Sequence, residues 1–209
     1  MTLRNLTFVG LLIIPLEKSD QWTEVSYKKI PGNRISYLKE GIKINIEKSA
    51  SPLVFRLPKT VSVQAAHLTL EFQGDLPPAN DRWSEDAPFR IGFVAPGQNT
   101  LSEFKRWMAP PWVKQLFDLA PKGQGIDKIY FLNLDTQPSH MGQSRAHPHS
   151  KLLQEKVVGI IENSKSTYNL NYRWDRPQPT AALWISPDGD DTKSSFSVLI
   201  KKIELDIQE

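Results

Sequence analysis

The sequence predicts an all-β protein: two packed antiparallel sheets forming one sandwich, with a small helical insertion. Three observations carry that expectation. Apolar residues return with a period of two, as in Ile42, Ile44 and Ile46 set between Lys43, Asn45 and Glu47. Sixteen prolines and eleven glycines are spread along 209 residues, as many short strands joined by many turns require. The chain also ends on an alternating segment whose parity switches, with Phe196, Val198 and Ile200 on one side and Ile203, Leu205 and Ile207 on the other. A switch within a strand marks a β-bulge, here at Lys201-Lys202.

Taken in order, the elements begin with an apolar run from Leu6 to Leu16 behind Arg4. Residues 1–16 read either as the centre of a secretory signal or as a buried first strand. The run is too short to span a bilayer, Pro15 disfavours a helix, and Glu17-Lys18 follows where a small-residue cleavage site would stand. Residues 17–209 read as a single domain, with no composition shift to divide them. Leu53, Phe55 and Leu57 make a strand that should stop at Pro58; Leu68, Leu70 and Phe72 make another, with His67, Thr69 and Glu71 facing water. Phe89, Ile91 and Phe93 follow, ended by Pro96-Gly97. Two continuous apolar runs, Ile129 to Leu134 and Val157 to Ile161, predict strands covered on both faces.

The insertion occupies about residues 100–120. Thr100 and Glu103 have the spacing of a capping box, and Leu101, Phe104 and Met108 fall near helical period. Pro110-Pro111 ends that turn, and Pro111 suits the first position of a second helix through Leu119. Asp135 to Ser150 reads as a long polar loop. Ala181 to Ile185 is a further apolar strand, and Pro187-Asp188-Gly189-Asp190-Asp191-Thr192 reads as the solvated turn of a closing hairpin.

Composition excludes several classes. A net charge of +3 with interspersed signs lacks the concentrated basic face of a nucleic-acid binder, so no nucleic-acid partner is expected. The absence of cysteine removes disulfides, thiolate metal sites and cysteine nucleophiles. No stable membrane span is expected, and nothing here fixes an oligomeric state.

The order of segments resembles a family of uncharacterised, mostly exported bacterial proteins expected to adopt a galactose-binding-like jelly roll. The stretches that carry the resemblance are Ser49 to Val54, Leu68 to Phe72, Asp86 to Phe93, Val157 to Glu162, and Leu183 to Ile207 with its Asp-Asp-Thr turn. The chain departs from the pattern between Thr100 and Asp127. The resemblance implies the jelly-roll fold and a periplasmic or extracellular location; a cytoplasmic one follows if residues 1–16 are a strand. It supplies no activity. Jelly rolls of this class often hold a structural calcium through backbone carbonyls, and no other cofactor is expected.

Candidate sites follow from residue chemistry. Asp188, Asp190 and Asp191 invite a calcium reading, but Lys193 stands where an EF-hand loop needs glycine and Leu199 where it needs glutamate. Turn chemistry accounts for them better. His140, His147 and His149 with Asp135 suggest zinc or copper, yet no third ligand has a recognisable spacing. Trp83, Trp107 and Trp112 offer indole faces for stacking on sugar rings, with Arg82 and Asp86 to bond hydroxyls. The competing role for Trp107 and Trp112 is to pin the insertion onto the sandwich, and Trp22, Trp174 and Trp184 are expected to pack in the core or at a sheet edge. No nucleophile elbow, phosphate loop or dinucleotide fingerprint is present. Glu71 with Asp75, or Glu85 with Asp86, are the carboxylate pairs a glycosidase would need.

The function these features predict is non-catalytic binding, foremost of a carbohydrate in the cell envelope. The alternatives are a structural module that docks an envelope protein and, after it, a carboxylate-dependent glycoside hydrolase.

Overall fold

A computed structural model describes residues 9–80, 86–109, 111–148, 150–162 and 167–208. Eleven strands form one hydrogen-bonded sheet that folds over on itself. They are β1 (Val9–Ile13), β2 (Trp22–Glu24), β3 (Arg34–Leu38), β4 (Gly41–Glu47), β5 (Leu53–Asp75) and β6 (Phe89–Gly97). Helices α1 (Glu103–Met108) and α2 (Pro111–Phe117) follow, then β7 (Gly125–Asp135), β8 (Ser144–His147), β9 (Ser150–Ile160), β10 (Thr167–Ile185) and β11 (Ser195–Gln208). Among the described residues, no helix is long and apolar enough to cross a membrane.

The length of β5 explains the folding-over. A straight strand of 23 residues would reach roughly 75 Å, several times the radius of gyration of about 17 Å expected for a domain of this size. It bends instead. In the β5–β10 ladder, Val61 pairs with Thr180 and Arg56 with Ala182, leaving residues 57–60 of β5 outside the pairing. Nearby, Ala65 pairs with Arg173 and Val63 with Gln178, leaving residues 174–177 of β10 outside it. These reciprocal bulges divide both strands between two layers. The strand does not stop at Pro58 as expected: that residue sits in the bulge, where the ladder asks for no N–H.

The first layer runs β3-β4-β11-β5-β10, using residues 62–75 of β5, with β1 on β11. The second uses residues 53–56 of β5 and 182–185 of β10, flanked by β2 on one side and by β6-β7-β9-β8 on the other. One core lies between them, joining Ile42, Ile44, Leu68, Leu70 and Val198 of the first layer to Phe55, Phe89, Phe93, Leu134 and Leu183 of the second. The expected bulge in β11 is present, since Ile200 pairs with Leu70 and Lys202 with Thr69. Gly41 meets it from β4, with a φ of 141° and no room for a Cβ, which would lie 2.0 Å from the Ile200 carbonyl oxygen.

Four expectations need correction. The sheet is antiparallel except for β7 and β9, which run parallel because β8 carries the chain back along the outer edge of β9. The stretch from Asp135 to Ser150 is therefore no simple loop; it holds a 3-10 turn at Pro138–His140 and strand β8. β10 and β11 do not form a hairpin, because β5 lies between them. Residues 187–194 cross from one layer to the other. Finally, α1 is capped by Ser102, whose side chain accepts from the Lys105 amide, rather than by Thr100. The preceding backbone is engaged elsewhere: the Ile126 amide donates to the Asn99 carbonyl.

Candidate ligand-binding cavity

The outer face of the second layer carries a second apolar cluster of Val54, Val94, Ile126, Ile129, Phe131, Ala182 and Trp184, covered by Leu116 and Leu119. The covering is incomplete. Between the sheet and α2 lies a cavity of about 390 Å³, within the range of small-molecule sites. Trp112, Leu116 and Tyr27 form one wall; Ile129, Phe131, Leu153 and Trp184 form the floor; Arg90, His147, Ser186, Asp188, Asp190 and Asp191 bring polar groups to its end. Tyr27 and Trp112 meet edge to face, 6.1 Å apart at 79°. Gly92 makes the floor possible, since a Cβ there would lie 2.6 Å from both Ile129 and Phe131.

The acidic end is held by its backbone. The Ser186 amide donates to the Arg90 carbonyl and the Asp188 amide to the Ala87 carbonyl, each at 3.0 Å. Asn33 donates to the Pro187 carbonyl at 3.0 Å and accepts from the Ser49 hydroxyl at 2.7 Å. Asp86 caps the crossing segment, accepting from the amides of Asp191 (3.3 Å) and Thr192 (2.6 Å) and from the Thr192 hydroxyl (2.5 Å). Asp86, Asp190 and Asp191 place their oxygens within 4.8 Å of one another, the only such grouping among the described residues that could hold a metal. The chemistry of the crossing segment accounts for Asp86, whose carboxylate satisfies turn amides.

Burial dominates the electrostatics. It pushes the Asp188 carboxyl up to about 9, against the pull of Arg90 and with help from its hydrogen bond to Asp190 and the nearby Asp86. Burial also pushes the Tyr27 hydroxyl up to about 12. At neutral pH the cavity therefore presents one neutral carboxylic acid and a neutral phenol beside the charged groups of its rim.

Behind the cavity lies an ion network that four strands assemble. Arg90 on β6 is 7% exposed, Asn133 on β7 and Glu155 on β9 are each 2% exposed. Glu155 receives Arg145 of β8 at 2.6 Å, Asn133 at 3.4 Å and Arg90 at 3.8 Å. Burial works to raise the Glu155 carboxyl, but Arg90 and Arg145 outweigh it and hold the group below its ordinary range. The network fixes Arg90 at the cavity wall.

Of the residues singled out from sequence, Trp112 lines the cavity and Asp86 positions its acidic end. Trp107 lies outside the cavity lining, 78% exposed on α1. Arg82, Trp83, Glu85 and His149 lie outside the described residues. The histidines serve different ends: His140 is buried and its Nδ1 bonds Asp135 at 2.8 Å, whereas His147 lines the cavity. Glu71 is a surface partner of Lys201 at 2.6 Å. Trp22, Trp174 and Trp184 are buried as expected, although Trp184 faces the cavity. Sequence reasoning missed Tyr27, Arg90, Ser186 and the inward aim of Asp188. One signal was available for Arg90: a charged residue inside the run Ala87 to Phe93, between Phe89 and Ile91, has to be paired on whichever face it takes.

Among solved structures, a xylan-binding module aligns over 96% of this chain and 97% of its own, at 9% identity and a TM-score of 0.41. A family 11 carbohydrate-binding module from Clostridium thermocellum, in complex with a β-1,3-1,4-mixed-linked tetrasaccharide, aligns over 95% and 96%, at 12% identity and 0.42. Winged bean acidic lectin, complexed with methyl-α-D-galactose, aligns over 96% and 100%, at 11% identity and 0.43. No protein-family model and no curated protein matches the chain. The superpositions are loose, and the cavity's own geometry carries the functional reading.

Proposed function

We propose that this chain binds a carbohydrate, without transforming it, in the cavity between α2 and the second layer. The observation that carries the reading is the pairing of aromatic walls with convergent polar groups in one partly covered cavity. Trp112 and Trp184 offer flat apolar faces to the C–H faces of a sugar ring. Arg90, Ser186, Asp188, Asp190 and Asp191 offer donors and acceptors to its hydroxyls. The neutral Asp188 carboxyl can donate as well as accept, which suits a ligand made of hydroxyl groups.

Binding is favoured over hydrolysis by the spacing of the acids. Asp188 and Asp190 hydrogen-bond each other, closer than the roughly 5 Å between the carboxyl groups of a retaining glycosidase. Docking of an envelope protein would call for a broad apolar patch, whereas the covered face holds a bounded cavity with polar groups at one end. An envelope location belongs to the same proposal and rests on the family resemblance; cell fractionation tests it.

The site itself is tested by glycan-array screening followed by titration calorimetry. Trp112→Ala is expected to lower affinity for the selected glycan by about tenfold or more, as loss of a stacking aromatic does. An unchanged affinity in a folded variant would remove the cavity from the reading.

A further inference from the structure

The cavity does not stop at its aromatic wall. A second hollow of about 490 Å³ lies on the outer side of the same Tyr27, Ile30 and Trp112, bounded by Lys28, Lys29 and Met108. The two spaces are neighbours across one pair of rings. Met108, 64% exposed, lines the second hollow, and the residue before it is the most exposed aromatic of the described residues, Trp107 at 78%.

The two ends differ in charge. The inner end is acidic through Asp190 and Asp191, with Asp86 beside them, and these acids outnumber Arg90, which shares Glu155 with Arg145. The outer end is basic. Lys28 and Lys29 are exposed, and no ion pair with a described residue neutralises either one. On α1 the exposed Lys105 is offset by the exposed Glu103, and the Lys114 ammonium donates to the Trp107 backbone carbonyl at 3.4 Å.

We infer that the ligand is an extended, acidic oligosaccharide: an uncharged unit enters the inner cavity, and units bearing carboxylate, sulfate or phosphate groups lie over Lys28, Lys29 and Trp107. The inference rests on the carbohydrate reading above and adds length and charge to it. Two adjoining hollows accommodate a chain better than a single ring. The acids at the inner end repel an anion there, so the charge complementarity assigns anionic substituents to the outer end. Trp107 needs no partner within the fold and gives such a chain a platform.

The experiment is calorimetry of the full chain with matched linear probes, hexagalacturonate and alginate hexamers against cellohexaose and xylohexaose, at two salt concentrations. Unilamellar vesicles with and without phosphatidylserine form a separate arm. The expected result is at least tenfold tighter binding of an acidic hexamer than of either neutral one, weakening as salt rises. The double variant Lys28→Glu, Lys29→Glu should lose that preference for acidic over neutral hexamers, with circular dichroism and an unchanged Tm showing that the protein is folded. Equal affinity for neutral and acidic hexamers, or a preference untouched by the double variant, would overturn the inference and leave the carbohydrate reading standing. Binding to no saccharide would end both. Binding to phosphatidylserine vesicles in place of acidic sugars would transfer the basic outer end to a membrane surface and overturn the inference.

Discussion

The outer faces of the two layers are built from the same two long strands and share almost no chemistry. On the first layer, β5 and β10 present a ladder of polar pairs: His67 with Asn171 (2.8 Å), Thr69 with Asn169 (3.1 Å) and Glu71 with Thr167 (3.5 Å). On the second, the same strands present Val54, Ala182 and Trp184, covered by helix and loop. Among the described residues, polar groups there include the buried network around Glu155, the acidic end of the cavity, and Arg56, which reaches the Asp118 carbonyl after α2. The lesson is one of environment. A polar residue on the wet face exchanges one set of water-like contacts for another, whereas a polar residue on the covered face has to find its partner inside the protein.

The largest break in this contrast should come from Glu155→Gln. It leaves Arg90 and Arg145 facing a neutral amide, and loss of one member of a buried ion network costs about 3–5 kcal/mol. Urea denaturation measures it; a loss under ~1 kcal/mol would show that water already reaches the network. Gly92→Ala ranks next, at about 1–3 kcal/mol, because the added methyl meets Ile129 and Phe131 at 2.6 Å. Asp188→Asn sharpens the comparison through pH. The Asp188 carboxyl is raised in the fold, so its stabilising contribution is fully present below the usual carboxylate range and is lost as pH rises through about 9. The stability of wild type relative to Asp188→Asn should therefore fall steadily between pH 5 and pH 9, and a flat difference would mean that Asp188 is ionised throughout. Thr69→Ala on the wet face should move stability by no more than about 0.5 kcal/mol.

How much of this was legible in the sequence follows the same division. Alternation at Leu68 to Phe72 announced a half-wet strand, and it is one; the parity switch at Lys201 announced a bulge, and β11 has it. The run Ile129 to Leu134 announced cover on both faces, which the helices and the core provide; Val157 to Ile161 is buried only at alternate residues, with Val158 and Ile160 half-buried. What escaped depends on partners distant in sequence. Periodicity is local, so it registered neither that β5 separates β10 from β11 nor that β7 and β9 run parallel. The acidic segment has the composition of a hairpin turn, and only the crossing between layers aims Asp188 inward. Trp112 was legible as an aromatic beside a helix break; Tyr27, 85 residues before the Trp112 ring it meets on α2, carried no local sign.

The bulges that bend β5 and β10 have a last consequence. Each strand is a continuous beam built into both layers, so no hinge separates the half beneath the cavity from the half that meets solvent. A domain with two independent sheets could part them to admit a guest. Here any opening has to come from the helical insertion, and the floor of the cavity stays as stiff as the core beneath it.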